Sequence, residues 1–101
     1  MDINKILALE LNISLKQAIT VTELFDEGNT VPFIARYRKE ATGNLTDELL
    51  LNFQARLQAL RALQQRKEDV KRLIDNQEKL TDELISKIDN ATTLTEVEDI
   101  Y

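Results

Sequence analysis

An all-α fold is predicted by three features of the sequence. Hydrophobic residues make up 43% of it, yet Phe25, Phe33, Phe53, Tyr37 and Tyr101 are its only aromatics, so the core must be built from Leu, Ile, Val and Ala. Gly28, Gly43 and Pro32 are the only strong chain breakers. No residue from Asp47 to about Asn76 interrupts a helix. A sandwich or barrel of short strands would need many more turn residues. At 101 residues the chain has room for one compact domain rather than two.

Asp2 can cap a first helix carrying Ile3, Ile6, Leu7 and Leu11 on one stripe and ending near Asn12. Ser14 and Gln17 form a capping box for a second, with Leu15, Ala18, Ile19, Thr22 and Phe25 on its apolar face and Gly28 ending it in a left-handed conformation. Thr30 caps a third. Pro32 falls in its first turn, where a missing N–H costs nothing, and Gly43 closes it. Phe33, Ile34, Tyr37 and Ala41 share its apolar face. With the tight Gly28-Asn29-Thr30 connection, the second and third helices have a helix-turn-helix shape.

Leu-Thr followed by an acidic residue recurs at Leu45, Leu80 and Leu94, each time before a new apolar-periodic stretch. These read as three N-caps, with Thr95 and Glu98 completing a capping box at the last. The helix from Asp47 to about Asn76 would be about 45 Å long at 1.5 Å per residue. A compact domain of this size is only about 35 Å across, so the fold is expected to be elongated around that helix. Its seam is Leu50, Phe53, Leu57, Leu60 and Leu63, and the polar stretch Gln64 to Asp69 is where it is expected to leave the core. A fifth helix should span about Asp82 to Asn90, and a last should begin at Glu96 and continue in pattern to Tyr101. Because the pattern ends inside a capped helix, the chain is expected to be a fragment of a longer protein.

With no His and no Cys, the chain cannot build a zinc finger, a His acid/base pair or a Cys nucleophile. Ser14 and Ser86 have capping or surface explanations and no visible base. The pairs Asp26-Glu27, Asp47-Glu48 and Asp82-Glu83 lie at predicted helix ends, and nothing builds a pocket that would shift their pKa values. The two glycines stand too far apart for a phosphate loop. No enzyme activity, metal or cofactor is expected. No apolar run reaches the ~20 residues of a membrane helix and no signal peptide is visible, so a cytoplasmic protein without a membrane partner is expected.

The net charge of −5 argues against a free-standing nucleic-acid binder, and any such role must rest on a local patch. One candidate is Arg36, Arg38 and Lys39 beside Tyr37: cations for phosphates, an aromatic for a base or sugar. On a continuous helix Arg36 and Arg38 would lie about 160° apart and would not form one patch. The competing reading makes Phe33, Ile34 and Tyr37 core and the cations its border, salt-bridged to acidic neighbours. A second basic concentration, Arg56, Arg61, Arg66, Lys67, Lys71 and Arg72, reads either as a solvated helix face or, through Arg56, Arg61, Arg66 and Lys67, as a surface docking other domains.

The segment GNTVPFIARYRKEATGNLTDE closely resembles the N-terminal hallmark of the Tex family of bacterial transcription accessory proteins. That family is similar in part to a eukaryotic transcription elongation factor and histone chaperone. The resemblance extends over the chain, through the QQRKEDV middle of the long helix to the closing LTEVEDIY. It implies an N-terminal helical domain over residues 1–101, with a helix-turn-helix-like part at 1–44, the long helix at 45–78 and C-terminal helices at 79–101. It further implies a longer protein with a ribonuclease-H-like domain, a helix-hairpin-helix segment and a C-terminal OB-fold that does most of the RNA binding. The expected role is then a scaffold module. Its expected partners are RNA or DNA in the full-length protein, other domains of the same chain and the transcription machinery.

Overall fold

The computed structural model describes residues 1–101. It contains seven helices and no strand: α1 (Ile3–Leu11), α2 (Leu15–Asp26), α3 (Val31–Tyr37), α4 (Lys39–Thr42), α5 (Asp47–Asn76), α6 (Asp82–Asn90) and α7 (Leu94–Ile100). The all-α expectation holds, and the bounds of α5 are those read from the sequence.

The caps explain why most elements start and stop where they do. Asp2 accepts from the Lys5 N–H at 3.2 Å, and Asn12 closes α1 in the left-handed region at φ 55°. Ser14 and Gln17 form the expected reciprocal box, with Gln17 N–H to Ser14 Oγ at 3.0 Å and Ser14 N–H to Gln17 Oε1 at 2.9 Å. Thr30, Thr46 and Thr81 each accept from the backbone N–H three residues on. The third Leu-Thr signal is corrected. Thr93, not Thr95, caps α7, accepting from Glu96 N–H at 3.2 Å, while Glu96 reaches back to the Thr92 N–H and hydroxyl. Both threonines stand three residues before a glutamate. The earlier start is the one seen in a helix whose Val97 is fully buried, and Glu98 is left to pair with Arg66.

Two compact units are distinguished, Asp2–Ala59 and Leu60–Tyr101. In the first, Leu7, Ala18, Val21, Ile34, Leu50 and Phe53 are fully buried, and the Phe25 and Phe53 rings stack at 6.1 Å. The face that α2 buries is Ala18, Val21, Thr22 and Leu24. The expected Leu15 and Ile19 lie exposed instead. Thr22 can sit inside because its hydroxyl donates to Asn4 Oδ1 at 2.7 Å.

The second unit packs Leu63, Val70, Ile74, Ile88, Ala91 and Val97 together, with Leu80, Leu84 and Ile100 at the margin. The expectation that α5 leaves the core through Gln64 to Asp69 is overturned: Lys67 is only 4% exposed and continues the buried stripe between Leu63 and Val70. A lysine can hold a core position when its stem packs and its ammonium finds an acceptor. Lys67 Nζ donates to the Asp89 backbone carbonyl at 2.8 Å, one of the last carbonyls of α6, which have no helical N–H of their own.

Candidate functional site

The segment from Thr30 to Gly43 was expected to be one helix, and it is two. α3 stops at Tyr37, Arg38 sits at φ −125° and ψ 29°, and α4 resumes at Lys39. No glycine or proline marks the break. Backbone pairing survives around it, with Arg38 N–H donating to Ile34 at 3.0 Å and Thr42 N–H to Arg38 at 3.1 Å. The break lets α4 pack on α2. Thr42 is fully buried, and Gln17 Nε2 donates to its carbonyl at 2.9 Å while Gln17 Oε1 still serves the α2 cap. Gly43 then turns the chain at φ 73°, and an added Cβ would stand 2.8 Å from Gln17 Nε2. The Gln17–Thr42–Gly43 fastening thus fixes the direction of α4.

The broken helix also changes what the basic residues can do together. Arg36, Arg38 and Lys39 line one shallow cleft of about 440 Å³ with Tyr37, Glu40 and Ala41. The separation worked out for a continuous helix does not apply. The buried face of α3 is Val31, Ile34 and Ala35, so only Ile34 of the expected core trio is inside. Tyr37 is 60% exposed and Phe33 37%.

These surface rings and cations form a ladder. The Arg38 guanidinium lies over Phe33 at 5.3 Å, the Phe33 and Tyr37 ring centres are 5.2 Å apart, and the Arg36 guanidinium lies over Tyr37 at 5.8 Å. Each cation–ring contact is worth about 0.5–1 kcal/mol at an exposed position. No ion pair holds Arg36, Arg38 or Lys39, so the expected salt bridges to acidic neighbours do not form. Phe33 is the member of this array that its apolar spacing concealed.

The cations of α5 are placed differently. Arg56 makes a two-pronged contact with Glu10, Nε to Oε2 at 2.8 Å and Nη2 to Oε1 at 2.7 Å. That hydrogen bonding holds the Glu10 carboxyl below the usual carboxylate range and raises Arg56. Arg66 grips both oxygens of Glu98, with Nη2 at 3.1 Å from Oε2, and its guanidinium lies 5.7 Å from the Tyr101 ring centre. Glu98 is lowered by the same contact. Burial pushes the Lys67 ammonium below the usual lysine range. Lys71 bridges Asp89 at 2.9 Å and Glu68 at 3.2 Å and is raised, chiefly by the Asp89 hydrogen bond. Arg61 is exposed.

The helix-end carboxylates sit in first or last turns as expected, and no group of three or more acidic residues is placed to hold a metal ion. Ser14 is a cap, and the Ser86 hydroxyl accepts from Asn90 Nδ2 at 3.5 Å. No helix is long and apolar enough to cross a membrane.

The fold and site therefore define an all-helical module whose long-helix cations largely serve its own packing and whose outward-facing feature is the Arg38–Phe33–Tyr37–Arg36 ladder. The chain belongs to the family of Tex-like protein N-terminal domains, whose profile matches residues 1–75. It is 48% identical over its whole length to the transcriptional accessory protein Tex of Neisseria gonorrhoeae and 46% identical over 96% of its length to Protein YhgF of Escherichia coli. The human S1 RNA-binding domain-containing protein 1 is 31% identical over 98% of the chain. The chain spans 13%, 12% and 10% of these relatives' lengths, respectively.

Proposed function

We propose that this chain is the N-terminal scaffold module of a transcription accessory protein, non-catalytic, cytoplasmic and working on RNA. Most of the nucleic-acid binding would reside in other domains of the longer protein, with Arg36, Arg38 and Lys39 adding a weak contact of their own. Family membership supports the setting, and the names of the Tex and S1 RNA-binding relatives support transcription and RNA. The observation that carries the local contact is the set of three exposed cations free of ion pairs, lining one cleft in a chain whose net charge is −5. Cations kept free in an acidic protein are available to phosphate oxygens.

Fluorescence anisotropy with labelled oligonucleotides at low salt tests this. Weak binding that is lost when Arg36, Arg38 and Lys39 are all changed to Ala is expected. No binding by the intact chain removes the direct contact and leaves only the scaffold.

A second reading, docking of other domains or of the transcription machinery through Arg56, Arg61, Arg66 and Lys67, has less to stand on. Arg56, Arg66 and Lys67 already spend donors inside their own units. Cross-linking of the full-length protein that places Gln64 to Asp69 against another domain would revive it.

A further inference from the structure

We propose that the ladder is a single-strand reader: Tyr37 and Phe33 take an unpaired base, and Arg36, Arg38 and Lys39 take the phosphates that flank it. This rests on the nucleic-acid reading of the same surface and names the form of nucleic acid it accepts.

Three observations favour a single strand over a duplex. First, the rings face solvent, Tyr37 at 60% exposure, and they are already stacked with planar cations. Bases stack on aromatic rings and on guanidinium planes, but only when they are unpaired and splayed out. A base arriving on Tyr37 replaces the Arg36 guanidinium, which is then free to turn to the adjacent phosphate. Second, the footprint is small. The cleft is lined by six consecutive residues, Arg36 to Ala41, and Glu40 among them limits the phosphates it tolerates to a few. Third, α3 has seven residues and α4 four, about 10 Å and 6 Å of helix, with a break between them. A duplex reader lays a helix along a groove and holds phosphates on both sides of it, which this surface does not offer.

Stacking and phosphate contact are common to RNA and DNA, so single strands of either sugar should bind. The test measures anisotropy of the 101-residue chain with four probes at low salt: a single-stranded RNA, the same sequence as single-stranded DNA, its duplex, and a strand with abasic sites. Both single strands are expected to bind at least tenfold more tightly than the duplex and the abasic strand. Tyr37→Ala should weaken single-strand binding about tenfold or more, from the stacking energy of one base. Tyr37→Phe should restore it. Arg36→Lys should keep the salt dependence, which counts phosphates, and lose part of the affinity, because an ammonium cannot make the guanidinium's two-pronged contact with a phosphate.

Tyr37 is exposed, so its variants should melt with the parent chain, and circular dichroism verifies this. Tyrosine fluorescence gives a second readout, because only Tyr37 and Tyr101 contribute and no Trp is present. A bound base should quench the parent and leave Tyr37→Ala unchanged. Equal binding of duplex, single strand and abasic strand, all lost with the three cations, would overturn the single-strand inference and leave the phosphate contact standing. Binding to none of the probes would overturn both. Affinity and quenching in Tyr37→Ala equal to those of the parent chain would overturn the stacking and show that the rings serve only to seat their own cations.

Discussion

Two basic regions of this chain look alike in sequence and are partnered in opposite ways. On α5, Arg56, Arg66, Lys67 and Lys71 are each paired with a carboxylate or a backbone carbonyl, and Lys67 occupies a core position. At the break between α3 and α4, Arg36, Arg38 and Lys39 have no acidic partner and line an outward-facing cleft, Arg36 and Arg38 lying over aromatic rings. Local density of positive charge is therefore a poor guide to a binding surface. What distinguishes the two is whether the cations already have acidic or buried carbonyl partners; at the break the one side-chain donor engaged is Arg38 Nη1, on the Tyr37 carbonyl at 3.4 Å.

The comparison breaks first at Lys67. Replacing it by Glu puts a carboxylate against the Asp89 carbonyl in a buried site and should cost about 3–5 kcal/mol, read as a lower denaturation midpoint. Lys67→Met keeps the packing without the charge and should stay within about 1 kcal/mol of the parent. A tolerated Lys67→Glu would mean that this position is not core.

Next in size is the fastening of α4. Gly43→Ala forces a side chain into a left-handed position and against Gln17 Nε2, and Gln17→Ala removes the side-chain half of the capping box and the bond to Thr42. Each should cost about 1–2 kcal/mol. Both should also weaken oligonucleotide binding although neither residue belongs to the ladder. Stability lost with binding intact would separate the α4 direction from the site.

The Glu10–Arg56 pair is half exposed, and a double-mutant cycle should find about 0.2–1 kcal/mol. Because the folded Glu10 carboxyl lies below its unfolded value, that contribution is fully present above the unfolded pKa and is lost as pH falls through the folded one. Arg56→Leu should remove this part of the acid sensitivity. Smallest in stability and largest in contrast is Arg36→Ala, expected within about 0.5 kcal/mol in melting. It should also lower the salt slope of binding by about 0.7, one phosphate on a single strand.

Local signals carried most of the fold. The Ser14–Gln17 box, the Thr46 and Thr81 caps and the unbroken run of α5 are each decided by residues within a turn of one another, so the sequence displays them. The misreadings share a different cause. Lys67 reads as solvent-facing until α6 supplies a carbonyl for it. Thr93 and Thr95 both have a glutamate three residues on, and the choice between them goes with the burial of Val97. The break at Arg38 has no breaker residue and is tied to the packing of α4 on α2 through Thr42 and Gln17. That break hid how Arg38 and Lys39 sit beside Arg36, while within α3 itself the apolar spacing put Phe33 and Tyr37 with Ile34 although only Ile34 is buried.

The central claim, that the ladder contacts nucleic acid and the α5 cations serve the fold, is tested most directly by titrating the isotope-labelled chain with a single-stranded RNA and following amide and side-chain NMR shifts. The account predicts perturbations confined to Phe33 through Ala41, with Arg56, Arg66 and Lys67 unmoved. Perturbations centred on Arg56 to Arg72, with Tyr37 silent, would contradict it.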